Sequence, residues 1–184
     1  MFKLIPQTIL SDSRDTSILI KLAILGLMIR MVVMPFTLHP DLLFINFFPS
    51  LLIRDGVFDI YSYLEKHFSV QISQLGWFYY PPMTYYSTGF FQFIFKPFTP
   101  LMTVWLSDVG AQISGGGGLA HHYANLSGSE QLFRNLFFLK LPYLFFDFAT
   151  ALTLLWIVPK KENAIKAFKL WMLNPVAIYA SFIF

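Results

Sequence analysis

The segment MPFTLHPD, residues 34–41, combines ionisable side chains with a position directly after an apolar stretch long enough to cross a membrane. It puts His39 and Asp41 at the expected membrane surface, where ionisable groups are candidates for function. A structural interpretation is equally open. Pro40 and Asp41 are residue types that begin helices, Pro through its fixed φ and Asp by accepting hydrogen bonds from the first turn.

The overall composition is that of a membrane protein. Hydrophobic residues make up 56% of the 184 residues and charged residues only 12%, whereas soluble domains contain about 25% charged residues. Many of the apolar residues are Phe and Tyr, which suit lipid-facing helices and interfacial belts. The net charge of +3 is small and dispersed, so nucleic-acid binding is not favoured. The sequence contains no Cys, which excludes disulfides and thiolate metal ligands.

Several stretches are long enough to form membrane-spanning helices, which need about 20 largely apolar residues. The sequence predicts spans over residues 18–35, 133–158 and 167–184. Residues 82–113 are also apolar, but Lys96 and Pro97 interrupt them and disfavour one continuous helix. The expected fold is therefore all-α, a polytopic transmembrane helical bundle in which residues 1–184 form a single transmembrane domain.

Basic residues suggest a topology, because Lys and Arg near membrane ends favour the cytoplasmic side. Four lysines lie between the last two predicted spans or at the start of the last one: Lys160, Lys161, Lys166 and Lys169. If they and the N-terminus are both cytoplasmic, an even number of crossings separates them. A hairpin satisfies this, with residues 82–97 descending and 98–113 returning; a single crossing against the positive-inside tendency is the alternative. Residues 36–80 then form an amphipathic first external loop.

A second external region contains Gly115 to Gly118, the pair His121 and His122, and an Asn-x-Ser triplet at Asn125. Four consecutive glycines are typical of a flexible linker, and the Lys-Ser/Thr that completes a phosphate-binding P-loop is missing. Adjacent histidines rarely chelate one metal together. We therefore assign no metal site to this region.

The order of the motifs along the chain is more specific than any one of them. Arg30 lies late in the first span and Asp41 follows it, before GVFDIYSYL at residues 56–64 and WFYYPPMTYY at 77–86. FLKLPYLFFD at 138–147 and KLWMLNPVAIY at 169–179 come next. This series resembles the N-terminal part of the GT-C superfamily of membrane glycosyltransferases, which includes the GPI mannosyltransferases. Because the chain stops inside an apolar run, we expect it to be the N-terminal fragment of a longer enzyme.

The resemblance implies a specific reaction. Enzymes of this kind take a sugar, here mannose or another hexose, from a polyprenyl-phosphate carrier and pass it to a lipid, glycan or protein acceptor. They act on the outer or lumenal face of a plasma membrane or ER membrane, as multi-pass proteins. Asp41 matches their acidic residue in the first external loop and would act as the base of an inverting displacement. Some relatives have Asp-x-Asp here, whereas this chain has His39-Pro40-Asp41, so a divalent metal is possible but no protein metal ligand is assigned.

Cationic groups are needed opposite the carrier phosphate, because negative charge develops there as it leaves. Arg30, His39 and Lys140 are the candidates for this substrate-binding role. Each also has a structural interpretation. Arg30 can snorkel to the interface, His39 can cap a helix, and Lys140 can balance Asp147, about two turns further along the same helix.

Two further substrate-binding candidates lie outside the spans. Tyr80, within the WFYYPP segment, can stack on sugar or polyprenyl, although Tyr beside a span is also a common interface anchor. Asp59 is a second candidate acid, which a solvated helix face explains equally well.

Two other classes of protein fit part of the pattern. A transporter or lipid flippase also carries charges within spans, but usually shows repeated halves, and this sequence has no internal repeat. A non-catalytic membrane subunit would need the aromatic anchors but not Asp41. Substitution of Asp41 distinguishes the transferase from both.

Overall fold

The computed structural model describes residues 13–75, 80–114 and 131–182, and these residues are all-helical, with no strand among them. In chain order the helices are α1 (Ser13–Val33), extended by a 3-10 turn (Met34–Phe36), α2 (Pro40–Asp55), α3 (Ile60–Leu75), α4 (Pro82–Phe95), α5 (Met102–Ser114), α6 (Leu132–Ile157), α7 (Lys161–Leu173) and α8 (Pro175–Phe182). The all-α prediction is confirmed. The glycine run and the paired histidines, which were predicted to lie in a second external region, are outside the described residues.

Two helical segments, Ser13–Phe36 and Leu132–Ile157, are long and apolar enough to cross a membrane. Both coincide with predicted spans. The predicted interruption of residues 82–113 is also present, because α4 ends before Lys96 and a turn precedes α5. The segment predicted to form the first external loop divides into α2 and α3 at Gly56, whose φ of 67° is readily adopted by glycine.

The span predicted over residues 167–184 is not one continuous helix. The helix is interrupted between α7 and α8 at Asn174, which adopts an extended conformation with φ −69° and ψ 117°. Pro175 follows, and it disfavours α-helical geometry at the residue before it. The result is one helix of 13 residues and another of eight.

The chain forms two compact units: a terminal unit made of Met1–Leu38 with Lys140–Phe184, and a central unit made of His39–Leu139. In the terminal unit, apolar residues of α1, α6 and α7 make the core: Leu19, Ala151, Leu155, Ala164, Phe168 and Met172. In the central unit, α2, α3 and α4 share an aromatic core: Phe47, Phe48, Leu51, Ile60, Leu64 and Tyr85.

Side-chain contacts define the helix register in the terminal unit. Arg30 of α1 contacts Asp147, and Thr37, which follows the 3-10 turn, contacts Lys140, so the chain advances by seven residues while the contacts along α6 move back by seven. These two helices are therefore antiparallel, and the two contacts lie about 10 Å apart along the axis.

The α7–α8 segment runs parallel to α1. Asp15 pairs with Lys161, and Gly26 lies against Met172, eleven residues further on in both helices. Near the far end of α1, the carbonyl of Phe182 accepts a hydrogen bond from Thr37. Although interrupted, the segment thus follows α1 along its length.

Both units bury several polar residues beside their apolar cores and expose many large apolar side chains. The terminal unit buries Arg30, Lys140 and Asp147, while the central unit buries polar residues that include Asn46 and Gln92. Large apolar side chains lie instead on the outer faces, among them Ile24, Met28, Val32, Phe90, Phe93, Phe145 and Phe146. Water-soluble monomers rarely expose so much contiguous apolar surface, so this distribution favours surroundings of lipid.

Candidate functional site: a buried charge network

Arg30 is completely buried in the terminal unit, and all three of its guanidinium nitrogens donate hydrogen bonds. Nε donates to Asp147 Oδ2 at 2.6 Å. Nη1 donates to the carbonyls of Met172 at 2.7 Å and Gly26 at 3.1 Å, and Nη2 to that of Trp171 at 3.3 Å. One side chain therefore joins α1, α6 and α7.

The interruption between α7 and α8 explains why those carbonyls need a donor. Pro175 has no N–H to offer the carbonyl of Trp171, its partner in a continuous helix. The N–H of Val176, which would reach Met172, donates instead to Asn174 Oδ1 at 2.9 Å. The guanidinium supplies both missing hydrogen bonds, so the Asn-Pro sequence and the buried arginine form one structural unit.

Asp147 is also fully engaged by its neighbours. Its Oδ2 accepts from Arg30 and its Oδ1 accepts from the Trp171 indole Nε1 at 3.1 Å. Two structural interpretations from the sequence are therefore wrong. Arg30 does not snorkel, since it is 0% exposed, and Lys140 is not the residue that balances Asp147.

Lys140 is buried at the other end of this network, and its partners are neutral. Its Nζ donates to the carbonyl and hydroxyl oxygens of Thr37 and to the carbonyl of Phe182. Carbonyls at helix C-termini carry partial negative charge, which favours a cation there. No carboxylate among the described residues pairs with Lys140.

The three buried ionisable groups carry a net positive charge when ionised. Arg30 and Lys140 contribute two positive charges, and Asp147 contributes one negative charge. The centroid of the Phe182 ring lies 5.8 Å from the guanidinium carbon of Arg30. The backbone carbonyl of Phe182 accepts a hydrogen bond from Lys140, so this one residue contacts both cations. A buried charge without a counter-ion is costly. This arrangement can be neutralised by a bound anion.

The predicted base lies in the central unit, at the start of α2. The backbone of Asp41 belongs to the first turn, and its side chain is outside the part that the structure describes. His39 is half-buried, and its carbonyl accepts a hydrogen bond from the N–H of Leu42 at 3.1 Å. Pro40 is the first helical residue, as the helix-start interpretation expects. The catalytic role of Asp41 and the substrate role of His39 stay predictions.

Asp59 is exposed and caps α3. Its Oδ1 accepts from the Ser62 N–H at 3.1 Å and its Oδ2 from the Ser62 hydroxyl at 2.7 Å. The hydroxyl hydrogen bond, and then the backbone one, lower the pKa of Asp59. The arrangement is that of a helix N-cap.

Tyr80 is half-buried in the aromatic cluster of the central unit. Its N–H donates to the hydroxyl of Tyr85 at 2.9 Å, and its carbonyl accepts from the hydroxyl of Tyr61. The rings of Tyr80 and Tyr85 meet edge to face, 6.5 Å between centroids. These contacts hold the chain as it enters α4.

The structure brings Arg30 and Lys140 into the terminal unit, whereas His39, Asp41, Asp59 and Tyr80 belong to the central unit. Sequence reasoning missed the neutral partners of the two cations: Gly26, Thr37, Trp171, Met172 and Phe182. Only Asn-Pro carried a usable signal, because a proline in an apolar helix leaves carbonyls that need another donor.

The described residues contain no cluster of three or more His, Cys, Asp or Glu side chains suited to a metal. No protein-family profile, curated protein or solved structure matches the chain significantly.

Proposed function

We propose that the chain is the N-terminal part of a multi-pass membrane glycosyltransferase. It would transfer a hexose from a polyprenyl-phosphate carrier to a hydroxyl acceptor on the outer or lumenal face. The order of sequence motifs suggests the enzyme class. The structural observation that carries the proposal is the buried Lys140, which has three neutral oxygen partners and no described carboxylate partner.

Membrane integration is the first part of this proposal. Two helices have the length and apolarity for it, and both units bury polar groups while exposing large apolar side chains. Buried charges within such helices are rare and tend to mark functional paths. The Arg30–Asp147 pair has a structural explanation, which leaves Lys140 as the charge in the terminal unit to be accounted for.

Lys140 is our candidate for the residue that binds the carrier phosphate. Of the two buried cations, Arg30 already has a carboxylate and three carbonyls as partners, whereas Lys140 could exchange a neutral acceptor for a phosphate oxygen. Charge on the leaving phosphate would be stabilised by the ammonium group.

In the proposed reaction, the acceptor oxygen attacks the anomeric carbon as Asp41 takes the hydroxyl proton. The bond from that carbon to the carrier phosphate breaks, and the phosphate oxygen keeps the electron pair. Inversion follows from the single displacement. A positioned general base contributes about 10²- to 10⁴-fold to rate, which sets the expected effect of removing it.

The test is transfer of radiolabelled sugar by the full-length gene product in membranes, from a panel of polyprenyl-phosphate donors. Asp41→Asn should reduce transfer by about 10²- to 10⁴-fold at matched expression, whereas Asp59→Asn, at a capping carboxylate, should retain it. Lys140→Met should raise the KM for the donor more than Lys140→Arg.

If the Asp41→Asn variant transfers sugar at the wild-type rate, Asp41 is not the base. If only Asp59→Asn loses transfer, Asp59 is the base instead. If no donor supports transfer by the wild type, the glycosyltransferase proposal fails. A flippase or a non-catalytic subunit would then be the better explanation of the buried charges.

A further inference from the structure

One end of the terminal unit carries exposed lysines that form no ion pair with any described residue: Lys21, Lys160, Lys166 and Lys169. Of the acidic residues here, Asp15 is already paired with Lys161 at 2.5 Å, and Glu162 is exposed. The result is a surface with an excess of positive charge.

The helix register brings several of these lysines to one level. Asp15 pairs with Lys161 and Gly26 contacts Met172, so Lys166 and Lys169 lie beside the stretch of α1 between those contacts. Lys21 lies in the same stretch of α1. Three exposed cations thus share one level along the helices.

Large apolar side chains surround this level. Trp156 and Ile157 at the end of α6 are 51% and 70% exposed, and Leu170 of α7 is 69% exposed. From Lys21 to Phe36, α1 and its 3-10 extension rise about 23 Å, and that outer surface is strongly apolar, with exposed Ile24, Leu25, Met28, Met31, Val32 and Phe36. The lysines therefore lie where an apolar surface gives way to a charged one, as Lys and Trp do at membrane interfaces.

We propose that this basic belt, defined as Lys21, Lys166 and Lys169 with Trp156, binds the headgroups of anionic phospholipids. The inference rests on the membrane integration in the proposed function, but not on the transfer reaction. Lysine stems can lie along the apolar helix surface while the ammonium groups reach headgroup phosphates. An acidic protein partner would not account for the apolar side chains interleaved with the charges.

The test uses the full-length product in mild detergent, mixed with equal amounts of phosphatidylglycerol and phosphatidylcholine. Native mass spectrometry would count the retained lipids. The wild type should retain phosphatidylglycerol preferentially. Lys166→Gln combined with Lys169→Gln should reduce that preference by about tenfold or more, since each basic residue near an anionic surface is worth about fivefold in binding.

Controls separate local binding from net charge and from misfolding. Lys66→Gln with Arg134→Gln removes the same charge from exposed positions of the central unit and should leave the preference within about twofold, because the lysines of the belt remain in place. Lys166→Arg with Lys169→Arg should retain it. Equal losses in the two Gln variants, or no loss in either, would overturn the proposal.

Two further outcomes are decisive. Displacement of phosphatidylglycerol by millimolar inorganic phosphate would identify a free-anion site and overturn a lipid surface. Extraction of the wild-type chain from membranes by alkaline carbonate would overturn membrane integration and the basic belt together. If the chain resists extraction yet shows no phosphatidylglycerol preference, the lipid-binding inference alone fails.

Discussion

The terminal and central units bury polar groups of different kinds. In the terminal unit these include three ionisable side chains, each with several hydrogen-bond partners. In the central unit they are neutral, and the two amide atoms of buried Asn135 have no hydrogen-bond partner among the described residues. A buried charge without a partner costs more free energy than a buried neutral amide without one. We therefore expect buried polar contacts to contribute more to the stability of the terminal unit than to that of the central unit.

The helix interruptions differ in the same way. At the α4–α5 turn in the central unit, the carbonyl of Phe95 accepts hydrogen bonds from the N–H groups of Phe98 and Thr99 and from the Thr99 hydroxyl. The carbonyl freed there finds its hydrogen-bond donors within four residues. The carbonyls freed after α7, those of Trp171 and Met172, accept hydrogen bonds from Arg30, more than 140 residues away in sequence. One is a local feature, and the other depends on the assembled fold.

The largest contrast should come from breaking one ion pair in each unit. Asp147→Asn leaves Arg30 buried without a carboxylate, which costs about 3–5 kcal/mol of unfolding free energy. Asp55→Asn removes the partner of Arg54 in an exposed pair, which costs about 0–1 kcal/mol. Reversible unfolding in mixed detergent micelles measures both. Equal losses would show that burial does not distinguish the pairs.

Close helix contacts offer a second comparison, at one glycine in each unit. A Cβ at Gly26 would lie 3.0 Å from the Met172 carbonyl oxygen and 2.4 Å from its Cε, whereas a Cβ at Gly89 would meet a Leu52 methyl at 3.2 Å. The backbone oxygen is hard to displace, so Gly26→Ala should destabilise by about 1–3 kcal/mol.

Gly89→Ala should cost less, because the Leu52 side chain can rotate and alanine favours the helix. The same unfolding measurement compares the two variants. A larger loss at Gly89 than at Gly26 would contradict this account of how tightly α1 and α7 pack.

Asn135 tests whether neutral polar burial in the central unit is dispensable. With neither amide atom bonded to a described residue, Asn135→Leu should leave stability unchanged or raise it by about 1 kcal/mol. Asn46→Leu is the matched control, because Gln92 Nε2 donates to Asn46 Oδ1 at 3.1 Å, and it should destabilise. A loss at Asn135 as large as at Asn46 would reveal a partner beyond the described residues.

Much of the helical architecture could be predicted from the sequence, because length and apolarity alone define the two long helices. The break at Lys96–Pro97 was predictable for the same kind of local reason. The break at Asn174–Pro175 was missed, although proline signals it, because the surrounding apolar run suggested a continuous span. Local signals were sufficient where they agreed with one another.

The site was less predictable, because its pairing depends on contacts between distant helices. Seven residues separate Lys140 from Asp147 on one helix, which suggested an ion pair. Asp147 instead pairs with Arg30 of α1, and Lys140 contacts Thr37, seven residues further along the chain. Neutral carbonyl partners have no sequence signature of their own. Only the fold could show that Arg30 replaces the donors lost at an interrupted helix.

The smallest expected effect concerns Asp59, the exposed cap of α3 in the central unit. Because hydrogen bonds from Ser62 lower the pKa of Asp59 when folded, its stabilising contribution is present above the unfolded value of about 3.9. It is lost as pH falls through the folded pKa. Asp59→Ala should lower the Tm of the purified protein at pH 7, and the difference should shrink between about pH 5 and pH 2. Asp59→Asn retains a capping oxygen without an ionisable group, so its Tm at pH 7 should lie between those of Asp59→Ala and the wild type. A Tm difference between Asp59→Ala and the wild type that is constant with pH would show that the cap acts without its charge.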